Sequence, residues 1–141
     1  MSKILIKKLH PDAVLPSYSR DGDIGMDICS NVDIVIPARQ RVIVSTVIAM
    51  ALPANHAGLI WDRSGMAAKH GIKTMGGVID PNYRGDWGII LYNTTDADYQ
   101  VNKGDRIAQV LIQKVEILPL EEVDELPDSN RGEGGFGSSG K

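Results

Sequence analysis

The stretch IVIPARQRVIVSTVIAMALP, residues 34–53, places two runs rich in β-branched residues on either side of Pro37-Ala38-Arg39-Gln40. Val, Ile and Thr are stiff at Cβ and fit a pleated, half-buried surface. Pro37 has no amide to give to a strand ladder and favours a turn. The segment reads as two strands joined by a hairpin or a sharp corner. Working outward, similar runs occur at residues 4–6, 32–36, 58–61, 88–92 and 107–117, bounded by Pro, Gly, Asn or Asp. Short strands with turn signals about every 8–12 residues predict an all-β sandwich, jelly roll or barrel. One short helix is expected at residues 65–70, where Met66, Ala67, Ala68 and Lys69 favour helix and Ser64 stands where a cap belongs.

At 141 residues the chain has the length of one domain. Aromatic residues make up 5% of it against 43% hydrophobic residues overall, so the core must be built from Val, Ile, Leu, Met and Ala. The net charge is −3 and no Lys/Arg block stands out, which argues against a nucleic-acid partner. Cys29 is the only cysteine, so no intrachain disulfide can form. The opening MSKILIKKLH lacks the apolar core of a signal peptide, and no long apolar run follows. The expectation is an intracellular, cytoplasmic protein, or a nuclear one if the source is eukaryotic or viral, with no membrane association.

From residue 119 the pattern changes to PLEEVDELPDSNRGEGGFGSSGK, acidic and then Gly/Ser-rich, without the periodicity of a core. A β-domain over residues 1–118 and an arm with a flexible tail over 119–141 are therefore expected. The only Phe of the chain, Phe136, lies in that tail. GFGSSGK matches G-x-x-x-x-G-K, but a phosphate loop of that type needs a following helix and here the chain stops at the Lys. Arg84-Gly85-Asp86 is read as a turn. His10, His56 and His70 lack a second ligand at zinc spacing.

Five stretches concentrate Gly, acids, Arg, Ser and Gln between the apolar runs: IGMDI at 24–28, RSGMA at 63–67, GVIDPNYRGD at 77–86, GDRIAQ at 104–109, and the tail. In the third, Pro81 restrains Asp80 to extended or turn geometry, so its carboxylate is oriented by backbone. Such a residue can be a turn former or a general base. Gly76 and Gly77 permit close backbone approach. In the second stretch, Ser64 and Arg63 precede the helix and suit an anion as well as plain capping.

Together the five stretches resemble, in order and spacing, the five motifs of the trimeric dUTPases. The resemblance implies a distorted jelly-roll or β-barrel of the dUTPase type with one short helix, its C-terminal arm exchanged in a homotrimer with active sites at subunit interfaces. It implies hydrolysis of dUTP to dUMP and pyrophosphate, which limits uracil in DNA and supplies dUMP for dTMP synthesis. Asp80 is then the base that activates the attacking water, and Tyr83 excludes a ribose 2′-hydroxyl. Gly77, Val78 and Ile79 belong to the hairpin that reads uracil. Arg63, Ser64, Gly65 and Gln109 form the phosphate site, and Asp27 contacts a phosphate-bound Mg²⁺ through water. In the tail, Phe136 stacks on the base, Arg131 meets the phosphates, and Gly137, Ser138 and Ser139 wrap the γ-phosphate.

Asp105 and Arg106 are expected to be structural, pairing within their turn or across a subunit interface. The chain departs from the family pattern where Trp61-Asp62 replaces Ala-Pro, and Asp62 is expected to add a negative charge beside the phosphates. Two other readings use the same residues: a dCTP deaminase, against which the Asp80–Tyr83 stretch and the Phe-bearing tail speak, and a nucleotide-sensing protein that binds dUTP with negligible turnover.

Overall fold

The computed structural model describes residues 3–136. Eleven strands and one helix follow in the order β1 (Leu5–Lys8), β2 (Gly25–Cys29), β3 (Ile34–Ile36), β4 (Arg41–Val44), β5 (Ile48–Ala51), β6 (His56–Trp61), α1 (Ser64–His70), β7 (Ile72–Met75), β8 (Val78–Ile79), β9 (Ile89–Asn93), β10 (Tyr99–Val101) and β11 (Arg106–Lys114). They form four antiparallel groups: β1-β5, β10-β3, β2-β11-β6-β8 and β4-β9-β7. The arrangement is jelly-roll-like, and these sheets do not close into a barrel.

The stretch 34–53 explains why. Its Pro-Ala-Arg-Gln link makes a corner rather than a hairpin: β3 pairs with β10, whereas β4 pairs with β9. A second corner after β4 sends β5 to β1. Arg39 and Val47, one in each corner, have φ of 59° and 48°, left-handed backbone that breaks a ladder. One continuous apolar run is thus divided among three sheets, and its side chains reach the interior from several sides.

That interior is built mainly from aliphatic residues and Met, as the composition requires, and among the described residues Trp87 is its one buried aromatic side chain. Trp87 is fully buried among Ile28, Ile36, Ile48, Ile89, Leu91 and Val110. Its ring lies against Gly58, where a Cβ would stand 2.5 Å from Cη2. The missing side chain on β6 lets the indole fill the space between β6 and the segment that follows Asp80.

Helix α1 begins at Ser64 itself, one residue earlier than expected. The capping position falls on Arg63, which is extended (φ −81°, ψ 126°), and no side chain caps the first turn. Ser64 is therefore the first helical residue and not the cap. Its hydroxyl donates no hydrogen bond to a described residue, and the residue is exposed. Among the described residues no further strand forms beyond Lys114, and residues 118–133 are exposed throughout.

Candidate active site

Three residues in register define one row across the large sheet: Asp27 on β2 faces Gln109 on β11, which faces Trp61 on β6. Directly opposed residues share a sheet face. On β2, Met26 and Ile28 turn into the core while Asp27 turns the other way. Asp27 is held firmly there. Its Oδ1 accepts from Arg63 Nε at 2.9 Å, and its Oδ2 accepts from Ser19 Oγ at 2.6 Å and Arg106 Nη1 at 3.4 Å. Asp27, Arg63, Ser64, Gly65 and Gln109 line a cleft of about 190 Å³. Five residues from three motifs meet in it.

Asp105 is structural as expected, its carboxylate accepting from the Asn102 amide at 2.8 Å within the turn. Arg106 differs: it reaches across to Asp27 and so joins the cation cluster at this cleft.

The third motif builds a second cleft. Asp80 to Tyr83 is a turn with Pro81 as its first central residue, closed by the Tyr83 amide donating to the Asp80 carbonyl at 3.2 Å. The turn brings the Asp80 carboxylate and the Tyr83 phenol to the mouth of a cleft of about 280 Å³. Gly77, Val78, Ile79, Met75 and Trp87 contribute its apolar walls. The Tyr83 hydroxyl donates to the Asp86 carbonyl at 3.1 Å, which fixes the ring. Gly76 and Gly77 have φ of 66° and 105°, and a Cβ on Gly77 would lie 3.1 Å from the Ile60 carbonyl oxygen. β7 pairs with β9 and β8 with β6, so the hairpin expected before Asp80 is instead a turn between two sheets, and it needs glycine for both its shape and its contact with β6. The Asp80 carboxylate accepts no hydrogen bond from a described residue and is exposed.

Asp86 also lines this cleft and was given no role by the sequence. Its carboxylate accepts from the hydroxyls of Ser45 and, at 3.1 Å, Thr46. It ties the Asp80 turn to the corner between β4 and β5. The only sequence signal was an acid directly after Tyr83-Arg84-Gly85.

Asp62 does not behave as its position suggests. Its carboxylate turns to β7, where Oδ1 accepts the Thr74 amide and hydroxyl, both at 2.6 Å, and Oδ2 accepts Lys73 Nζ at 3.0 Å. Partial burial raises the carboxyl, but the hydrogen bonds from Thr74 and Lys73 outweigh it and hold Asp62 below the usual carboxylate range. The extra charge is paired with Lys73 and directed away from Ser64 and Gln109.

The two clefts share no lining residue. The Asp80 cleft holds no Lys or Arg, and the Asp27 cleft has no apolar wall for a base. In the tail, Arg131 Nε donates to the Gly134 carbonyl at 2.6 Å, and Phe136 is fully exposed. Neither is brought to a cleft of this chain. Gly137, Ser138 and Ser139 lie outside the described residues.

The family model of dUTPase matches residues 12–140. The chain belongs to the dUTPase family. It is 47% identical over 140 residues to the deoxyuridine 5′-triphosphate nucleotidohydrolase of Paramecium bursaria Chlorella virus 1, with 99% of each chain covered. It is 44% identical over 135 residues to the Arabidopsis thaliana protein of the same name, covering 96% of this chain and 81% of that one. Among solved structures, the dUTPase of Staphylococcus bacteriophage 80alpha with dUpNHpp superposes with a TM-score of 0.90 at 30% identity, covering 99% of both chains. As a member of this family the chain is a nucleotidohydrolase.

Among the described residues no group of three or more His, Cys, Asp or Glu side chains could hold a metal ion. Asp27 offers a single carboxylate already engaged by two arginines and a serine. That donor set suits contact with the water shell of a hydrated Mg²⁺ whose inner ligands are phosphate oxygens, and does not suit a protein cage. Among the same residues no helix is long and apolar enough to cross a membrane.

Proposed function

We propose that this chain hydrolyses dUTP to dUMP and pyrophosphate, with Mg²⁺, at sites completed between subunits of a homotrimer. The observation that carries this reading is the pair of complementary half-sites. One presents a carboxylate, a phenol and apolar walls without a cation; the other presents Arg63, Ser64 and Gln109 without a place for a base. A nucleoside triphosphate needs both. On one chain they are offset along β6, since Gly58 and Leu59 face β8 while Trp61 faces Gln109, a step on the order of 10 Å. In a trimer, the Asp80 turn of one subunit meets the Arg63 cluster of another.

The arm supports the same reading. Ile117, Leu118, Leu120 and Leu126 are 70–100% exposed on the single chain. Their apolar surface calls for a neighbouring subunit to cover it. We assign residues 1–118 to the β-domain and 119–141 to an arm exchanged between subunits. The dUTPase of bacteriophage 80alpha was solved with dUpNHpp, a dUTP analogue, which supports dUTP as the substrate.

In this mechanism the Gly77-Val78-Ile79 backbone reads the uracil edge and Tyr83 packs on the deoxyribose, leaving no room for a 2′-hydroxyl. Asp80 takes a proton from a water whose oxygen bonds to the α-phosphorus. The bond from that phosphorus to its bridging oxygen breaks, and pyrophosphate leaves with the electron pair. Ser64, Gln109 and Arg63 stabilise the charge that develops on the leaving group. Bound Mg²⁺ supplies neutralisation of the triphosphate charge, with Asp27 holding its water. Phe136 stacks on the base as Arg131, Gly137, Ser138 and Ser139 close over the phosphates.

Incubating the full-length protein with dUTP and Mg²⁺ tests the reaction, with products identified by phosphorus NMR. dUMP and pyrophosphate are expected from dUTP, with dCTP, dTTP and UTP left intact; ammonia release from dCTP, or dUTP binding without turnover, would overturn it. Asp80→Asn is expected to lower kcat by roughly 10²–10⁴ and to keep dUpNHpp binding.

A further inference from the structure

The clamp at Asp62 has a consequence for the phosphate cleft. Asp62 reaches two ways from the junction of β6 and α1. Its side chain binds Thr74 and Lys73 on β7, and its main-chain carbonyl accepts Gln109 Nε2 at 2.8 Å. A carboxamide has a donor end and an acceptor end, and only the donor end attracts a phosphate. The bond to the Asp62 carbonyl fixes which end is which: Nε2 lies toward residues 62–63, and Oε1 is stowed over Gly25. One N–H of that nitrogen is used on the carbonyl, and its second N–H remains for a phosphate oxygen.

We propose that Asp62 is a positioning residue for the phosphate site. Its carboxylate anchors the Asp62 peptide to β7, so that the carbonyl holds Gln109 in the donor orientation, while Lys73 cancels a charge that would otherwise repel the substrate. The proposal rests on Gln109 as a phosphate contact. Four hydrogen bonds converge on this one residue from two strands, a heavier commitment than a loop acid needs. Asp62 does not line the cleft itself, so it acts through Gln109.

The test is a double-mutant cycle in the full-length protein, reading kcat and KM for dUTP and the Kd of dUpNHpp. Gln109→Ala alone is expected to raise KM and Kd about tenfold, the worth of one hydrogen bond to a charged group. Asp62→Ala is expected to produce a similar rise, with a loss in kcat that matches that of Gln109→Ala, and to add almost nothing when Gln109 is already Ala. Asp62→Asn, whose carbonyl oxygen can still accept from Thr74, should restore most of the affinity. Thr74→Val, which removes only a hydroxyl, should weaken binding in the same non-additive way and keeps the test valid where Asp62→Ala folds poorly. Losses that add fully across the cycle would overturn the proposal, since they would make Asp62 independent of Gln109. An unchanged Kd in Gln109→Ala would instead remove the phosphate role of Gln109, and the proposal with it. The two failures are thereby distinguished.

Discussion

The Gln109 side-chain amide lies directly over Gly25, so that a Cβ at position 25 would collide with Gln109 Oε1. The obstacle is the end of a flexible side chain, which can swing aside where packed backbone could not. Gly25→Ala is therefore expected to fold normally while displacing the amide from the cleft. A KM for dUTP raised by about tenfold, with a melting temperature close to that of the parent, is the expected result. An unchanged KM would mean that this amide does not touch the substrate.

Truncation after Asn130 separates the arm's tail from the β-domain. Among the described residues no strand lies beyond Lys114, and the Arg131 side chain bonds only within the tail, to Gly134. Removing residues 131–141 should leave the melting transition in place and abolish most turnover. A Gly-rich lid costs roughly 1–2 kcal/mol per residue to order, so it closes only when substrate contacts offset that cost. Full activity in the truncated protein would exclude closure by Phe136.

Acid should expose the clamp at Asp62. Its carboxyl lies below the usual carboxylate range in the folded protein because hydrogen bonds from Thr74 and Lys73 favour the charged form over the opposing effect of burial. A depressed carboxyl stabilises the fold above its unfolded value, and that contribution is lost as pH falls through the folded value. The melting temperature should thus decline below about pH 4, and Asp62→Asn should show a shallower decline over the same range. Parallel curves for the two proteins would assign the acid sensitivity to other groups.

Much of this organisation can be read from residue order, and the reasons for the remainder are specific. The β-branched runs at 34–53 announce strands because side-chain stiffness is local. Their division among three sheets depends on left-handed backbone at Arg39 and Val47, residue types that give no hint of it. The five motifs located Asp27, Arg63, Gln109 and Asp80, and three of these meet in one cleft. The hydrogen bonds of Asp62 stayed hidden because Thr74 and Lys73 are brought beside it by β7, eleven to twelve residues away. Its position beside the expected phosphate site suggested an unfavourable charge, whereas tertiary contact neutralises it. The Trp87 indole was equally silent: only the glycine at position 58 makes room for it.

Subunit mixing tests the composite site most directly. One full-length chain carries Asp80→Asn, and a second carries Ser64→Ala with Gln109→Ala; each is inactive or nearly so by itself. Co-refolded as mixed trimers, the two should regain dUTP turnover, because the intact Asp80 turn of one chain meets the intact phosphate cluster of another. Mixed trimers, verified by native mass spectrometry, that remain as inactive as their parents would place both half-sites of each active site on a single chain and contradict the account.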